Sequence, residues 1–262
     1  VGGARLQLER FNFEACPHVY QCVKIDENSL LAGGEGTAVY ADGGSEFRMF
    51  QGFMEANLGS DAAGSVIFAD GASTLIHLEG VQIVDNRTFS LFHSENGAEV
   101  RAAFVTALFN YYHPGGGPGQ VGSWGATAMG AGEVRLFSSI LIDHQPFVTA
   151  TGGEAHGDCL VVETVSGLTA HAESMVGVDP ELRFDAVQGK YRLSAGSPAV
   201  DACDTFAYTP LDSDFDLETR GFDLASKPNH LGAFDRGADE LLPLFADGFV
   251  SGNTGAWSAT AP

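Results

Sequence analysis

The chain has 262 residues, 34 acidic and 13 basic, for a formal charge of −21; that charge repels phosphate backbones and anionic lipid, which excludes nucleic-acid binding. Apolar residues make up 44% and charged residues 18%, too apolar for a disordered chain and sufficient for one elongated body. No uninterrupted apolar run approaches the roughly 18 residues that span a bilayer, so no transmembrane segment is expected.

The first segment, VGGARLQLERF, reads as a strand. Residues 1–20 lack the basic, apolar and small-residue order of a signal peptide, so an export signal would lie upstream. Cys16 and Cys22 follow, and with Cys159 and Cys203 they form an even set without a CxxC pair or His at metal-ligand spacing. No zinc site is expected; the set suits disulfides in an oxidising, extracellular compartment. Chain order suggests Cys16–Cys22 and Cys159–Cys203, although four cysteines allow three connectivities.

Four segments then share one layout of small residues, a short strand, a bend, a second apolar strand and a polar stop. They are GGSEFRMFQGFMEAN (43–57), GASTLIHLEGVQIVDN (71–86), NGAEVRAAFVTALFNYY (96–112) and GAGEVRLFSSILIDHQ (130–145). Their first strands centre on Phe47, Leu75, Val100 and Val134, which stand 28, 25 and 34 residues apart. Two short apolar runs per unit, with no helical periodicity between them, argue against βαβ units. They predict an all-β, right-handed parallel β-helix whose turns stack about 4.8 Å apart and bury inward ladders of Val, Ile, Leu and Phe. Asn57, Asn86 and Asn110 end their segments, either as an internal amide ladder or as ordinary turn residues. Residues 113–132, HPGGGPGQVGSWGATAMGAG, read as a Gly-rich surface insertion with Trp124 exposed.

Candidate chemistry is sparse. Glu55, Asp85 and Asp143 end second strands and could stack as converging carboxylates of a glycoside hydrolase, but strand ends are where solvated acids normally sit. Arg48, Arg101 and Arg135 recur two residues after Glu46, Glu99 and Glu133. A row gripping an acidic glycan is one reading; an outward row of paired ladder charges is preferred. His77 reads as a satisfied sheet residue. In DSDFDLE, Asp212, Asp214, Asp216 and Glu218 alternate as oxygen ligands of the kind calcium takes, or form a polar loop with an Asp216–Arg220 contact. No HExxH, GxSxG or phosphate-cradling loop occurs, so no catalytic residue and no cofactor other than calcium is expected.

From Val178 the chain reads VDPELRFDAVQGKYRLSAGSPAVDACD, then DSDFDLETRGFD and LGAFDRGADE. This succession resembles the ending of bacterial secreted and surface right-handed parallel β-helix repeat proteins. Asp179-Pro180, Tyr191, Leu193, Ser197 to Asp201, Arg220-Gly221 and Gly237 to Glu240 stand at the matching positions, over about 63 residues. The resemblance implies last turns from about Leu160 and a polar ending that covers the open end of the solenoid. Arg236 departs from it, standing where an apolar residue is usual, so its strand is expected to be exposed or paired with an acid. Residues 244–262, LFADGFVSGNTGAWSATAP, resemble a short tail found on many proteins secreted by gammaproteobacteria, with Val250 in place of the usual Glu. The expected organisation is a β-helix at 1–200, a capping segment at 201–243 and an extended tail at 244–262. Phe245, Phe249 and Trp257 would anchor the tail on its own helix or on a neighbour.

Together these readings favour a non-enzymatic extracellular or cell-surface protein of a Gram-negative bacterium: an adhesin, or a structural filament subunit self-associating through its solenoid ends and tail. The rival is a polysaccharide-active lyase or hydrolase, or a glycan-binding module, since β-helix architecture alone does not decide function.

Overall fold

A computed structural model describes residues 5–8, 24–26, 36–59, 64–112, 121–186, 189–204 and 208–242. Among these residues the protein is all-β and mostly parallel, with a twelve-stranded sheet, a five-stranded sheet and two antiparallel pairs. Every pairing in the two large sheets is parallel.

The chain visits these sheets in a fixed order. Residues 46–50 and 53–55 lie in two halves of the large sheet and 65–70 in the five-stranded sheet. The next passes are 75–79, 82–84 and 90–95, then 99–103, 106–108 and 124–129, then 133–137, 140–141 and 148–150. Each pass pairs with the preceding one in parallel, so inward positions form columns. Phe47, Ile76, Val100, Val134 and Ala155 share one register position and are all buried; Met54, Ile83, Ala107, Leu141 and Val162 share another. Each large aliphatic side chain in such a column contributes roughly 1.5–3 kcal/mol by leaving water.

Three local expectations change. The centre of the second repeat is Ile76, not Leu75, because the register sets Leu75 opposite Glu46 and Glu99. Trp124 is half-buried and opens the strand Trp124–Met129, with its ring 6.2 Å from that of Phe89, so part of the expected insertion is sheet. Ser65–Asp70 and Ser90–Glu95 supply a third strand per pass. The asparagines do form a ladder: Asn57 Nδ2 donates to Asn86 Oδ1 and Asn86 Nδ2 to Asn110 Oδ1, both at 2.8 Å and fully buried. Continuing the register, His144 falls opposite Asn110, with Nδ1 lying 2.6 Å from the Gln145 carbonyl.

The two halves of the large sheet meet at a bend. Gln51, Gly80, Phe104, Ser138, Cys159 and Glu173 occupy this position in successive passes, and all have φ between 43° and 62°. Left-handed backbone costs an L residue roughly 1–2 kcal/mol, yet the ladder continues through the bend, as Phe104 N donates to Phe137 O and Ser138 N to Asp158 O.

The segment expected to close an end lies along this bend and touches every pass from 46–55 to 170–176. Gln51 Nε2 donates to Asp214 O at 2.8 Å, Tyr208 Oη donates to Glu79, Ala238 N donates to Thr106 Oγ1 at 2.9 Å, and Gly237 N donates to Ser138 O at 2.7 Å. The Arg220 guanidinium stacks 4.2 Å from the Phe104 ring centroid, and Phe215 meets Phe53 edge-on. Cys159 and Cys203 form a disulfide that ties this strap to the sheet, with Cα atoms 6.0 Å apart. Arg236 is neither exposed nor paired with an acid. It is fully buried, donating to the Leu160 carbonyl at 2.7 Å and the Glu173 carbonyl at 2.9 Å, so it serves backbone acceptors at the bend.

Candidate functional site

The arginine row is an outward ladder of paired charges. Arg48, His77, Arg101, Arg135 and His156 share one register column. Arg101 Nη2 lies 2.7 Å from Glu99 and Arg135 Nε 2.7 Å from Glu133, and Arg48 bonds Glu46. His156 joins the row at 2.9 Å from Glu154 and 3.5 Å from Glu133. His77, the buried member, sits 2.8 Å from Tyr208 Oη; burial, then Arg101 and Arg48, lowers its pKa to about 4.

Three of the four proposed calcium ligands come together. Ligand atoms of Asp214, Asp216 and Glu218 lie within 4.8 Å of one another; Asp212 contributes only its carbonyl, which accepts from Arg220 N. The donors are already engaged. Asp214 Oδ1 accepts from the amides of Asp216 and Glu218, and Oδ2 from that of Glu240. Asp216 pairs with Lys190 and Arg192, not with Arg220, which turns its Nη2 to the Ala238 carbonyl. Around this cluster Asp201, Asp214, Asp235, Asp239 and Glu240 are buried with Lys190 and Arg220. Acids exceed bases, and burial pushes Asp235 and Asp239 up to about 7 and Glu240 up to about 8. This ion network holds the strap.

A groove of about 520 Å³ opens beside it and includes Glu55 and Asp85. One wall is the end of the second sheet half. There the backbone turns left-handed at Ala56, Asp85, Phe109 and Asp143, with φ of 55°, 52°, 55° and 60°. This column carries Asp85 and Asp143 on either side of Phe109, two strand spacings apart, roughly 9.6 Å. Strain of this kind in bulky residues concentrates at functional surfaces. The other wall is the antiparallel pair Leu182–Asp185 and Lys190–Leu193, which opposes Phe184 and Tyr191. Gln82 clamps that wall to the sheet: its Nε2 donates to Tyr191 O at 2.7 Å and its Oε1 accepts from Tyr191 N at 3.0 Å.

Between the walls Phe109, Tyr111, Phe184 and Tyr191 present ring surface to Glu55 and Asp85. Tyr191 lies 5.1 Å from Phe184 at 48° and 5.6 Å from Phe109 at 60°, so the rings meet at an angle instead of stacking. Phe184 remains 53% exposed, a large apolar surface left in water. Burial first, then Asp143 and Asp85, raises the Tyr111 phenol pKa; burial, then Asp85 and Glu55, raises that of Tyr191. Both phenols therefore stay protonated and can donate as well as accept.

Sequence reasoning found the acids but not the aromatic wall. Phe184 and Tyr191 occupy alternate positions of ELRFD and KYRL, a weak strand signal, and nothing local links them to Phe109 and Tyr111. Asp143 lines a separate depression with Glu163 and Asp179. Cys16, Cys22, Phe245, Phe249 and Trp257 lie outside the described residues. No protein-family model matches the chain, and no curated protein or solved structure matches it either, so its function is read from this geometry.

Proposed function

We propose that the protein is an extracellular adhesive module, built as a right-handed parallel β-helix, that holds a saccharide in the groove between Phe109, Tyr111, Phe184 and Tyr191. The parallel, in-register passes and their shared inward columns support the solenoid reading, and parallel crossovers are right-handed in nearly all proteins. The Cys159–Cys203 disulfide supports an oxidising compartment. Among the described residues, no helix is long and apolar enough to cross a membrane.

The observation that carries the proposal is the groove. Its size falls within the roughly 300–1,000 Å³ of small-molecule sites. A sugar ring has an apolar face of C–H groups and a rim of hydroxyls; the four aromatic rings suit the first, and Glu55, Asp85 and two phenols suit the second. Binding is favoured over lyase chemistry because no Lys, Arg or His is among the described lining residues and the raised pKa values of Tyr111 and Tyr191 disfavour the phenolates that could act as bases.

Affinity electrophoresis through gels containing neutral and charged polysaccharides tests this. Retardation by at least one polymer, lost in Phe184→Ala and Tyr191→Ala, is expected. No retardation by any polymer, or retardation unaltered in both variants, refutes it. Steady release of reducing ends that disappears in Asp85→Asn would make the groove hydrolytic instead.

A further inference from the structure

The groove is one of three hollows set in line along the stacking direction. A hollow of about 210 Å³ lies at Leu58 and Arg87 and shares Asp85 with the groove, and one of about 280 Å³ lies at Asp143 and Val178. Register explains the alignment. Ala56, Asp85, Phe109 and Asp143 form the exposed left-handed column, and Leu58, Arg87 and Tyr111 pair in a second column beside it, with the buried asparagine ladder between the two. Past Asp143 the passes continue through Val162 and Val176 to Gly177, whose amide donates to Val162 O at 2.8 Å. From Leu58 to Gly177 the hollows cross five strand spacings, roughly 24 Å.

Apolar surface follows the same line. Leu58 is 41% exposed, Phe109 37%, Val178 37% and Phe184 53%, and all four line these hollows. Asp85, Arg87, Tyr111 and Asp143 stand among them, so hydrogen-bonding groups alternate with apolar patches. Such a row suits a ligand that repeats. An extended pyranose chain linked through opposite ring positions advances per unit by nearly the roughly 4.8 Å that separates neighbouring strands, so each sugar would meet a fresh pass. A peptide strand fits less well, because it advances only about 3.3 Å per residue and needs free main-chain partners. Here Ala56 N and Asp85 N already donate to Val84 O and Leu108 O.

We propose that the three hollows form one track for a linear, extended polysaccharide lying along the stacking direction, one sugar unit per pass, with the groove at Phe109 and Phe184 as its central subsite. The assignment rests on the saccharide reading of that groove.

Isothermal titration of the full chain with cello-, chito- and galacturono-oligosaccharides, each from disaccharide to heptasaccharide, tests this. In at least one series affinity is expected to rise at least about tenfold from the disaccharide to the hexasaccharide, through apolar contact in the two further hollows, and then to level off. Leu58→Ser and Val178→Ser, at exposed positions toward opposite ends of the track, should weaken the hexasaccharide and leave the disaccharide unchanged. Phe184→Ala should weaken both. Equal binding of disaccharide and hexasaccharide, or a length dependence that neither end variant alters, overturns the track but leaves the saccharide reading intact. Absence of binding by every series overturns both.

Discussion

The asparagine ladder gives the sharpest energetic prediction, because Asn86 serves groups on both neighbouring passes. Asn86 Oδ1 accepts from both the backbone N and the Nδ2 of Asn57, at 3.0 and 2.8 Å. Its Nδ2 donates to Asn110 Oδ1, Met54 O and Val84 O. In Asn86→Ala the buried Asn57 N–H loses its acceptor and the Met54 carbonyl loses a donor. Each orphaned buried group costs about 1–3 kcal/mol, so the variant should lose about 3–5 kcal/mol. Asn57→Ala removes donations to Asn86 and to Ile25 O, while Asn86 Oδ1 keeps the Asn57 backbone N–H, so a loss of at least about 1 kcal/mol is expected. The double variant should cost clearly less than the two losses combined, since the members share one network. Urea unfolding midpoints with unchanged slopes measure all three. A loss below about 1 kcal/mol in Asn86→Ala would refute the claim that the ladder satisfies buried backbone.

Three other perturbations probe the strap and the close packing of passes. Asp235 and Asp239, near 7, and Glu240, near 8, have folded pKa values raised above their unfolded ones, so the stability they carry is complete at low pH and is lost as pH rises through 7 to 8. Between pH 5 and 7, Lys190, lowered to about 8, stays charged in both states, and the lowered His77 and His144 offset part of the loss, so urea midpoints should fall modestly across that interval and flatten in Glu240→Gln. Midpoints that rise instead would show that the ion pairs dominate. Cys203→Ser opens a loop of 44 residues and should cost up to about 4 kcal/mol, seen as a lower midpoint that dithiothreitol reproduces in the unmodified chain. At Gly153 an added Cβ would sit 2.3 Å from the Ala128 backbone, so Gly153→Ala should lower the thermal midpoint far more than a surface Gly→Ala change; no shift would mean the passes are less tightly stacked.

What was legible in the sequence is what repeats. Glu-apolar-Arg recurs in three passes and set their register, whereas the second pass carries Leu75 and His77 at those two positions and its centre was misplaced by one residue. The asparagines were recognisable because each closes its segment at a fixed offset from the same strand. The third strands were not, since SVIFAD and SLFHSE are short and lie among turn residues. Trp124–Met129 was hidden because Gly and Ala fill most of its positions. The groove was half visible: Glu55 and Asp85 follow from the repeat, but Tyr191 joins them only because the strap folds back over the bend. Arg236 was misread because a basic residue in an apolar position suggests exposure, while left-handed bends leave carbonyls that a buried guanidinium can serve.

The strap also changes how the molecule can come apart. A stack in which each layer contacts only its neighbours frays from its ends and tolerates partial unfolding. Here residues 201–204 and 208–242 bind the earliest long strands through Gln51 and the last ones through Arg236, so none of the passes from 46–55 to 170–176 can melt without releasing a segment that the others share. Unfolding is expected to be all-or-none. Assembly must also wait for the C-terminal third, because contacts such as Gln51 with Asp214, 163 residues apart, form only once that segment is present. A nascent chain would carry an unstrapped sheet, its bend carbonyls and aromatic face open to water, until that late fastening closes it.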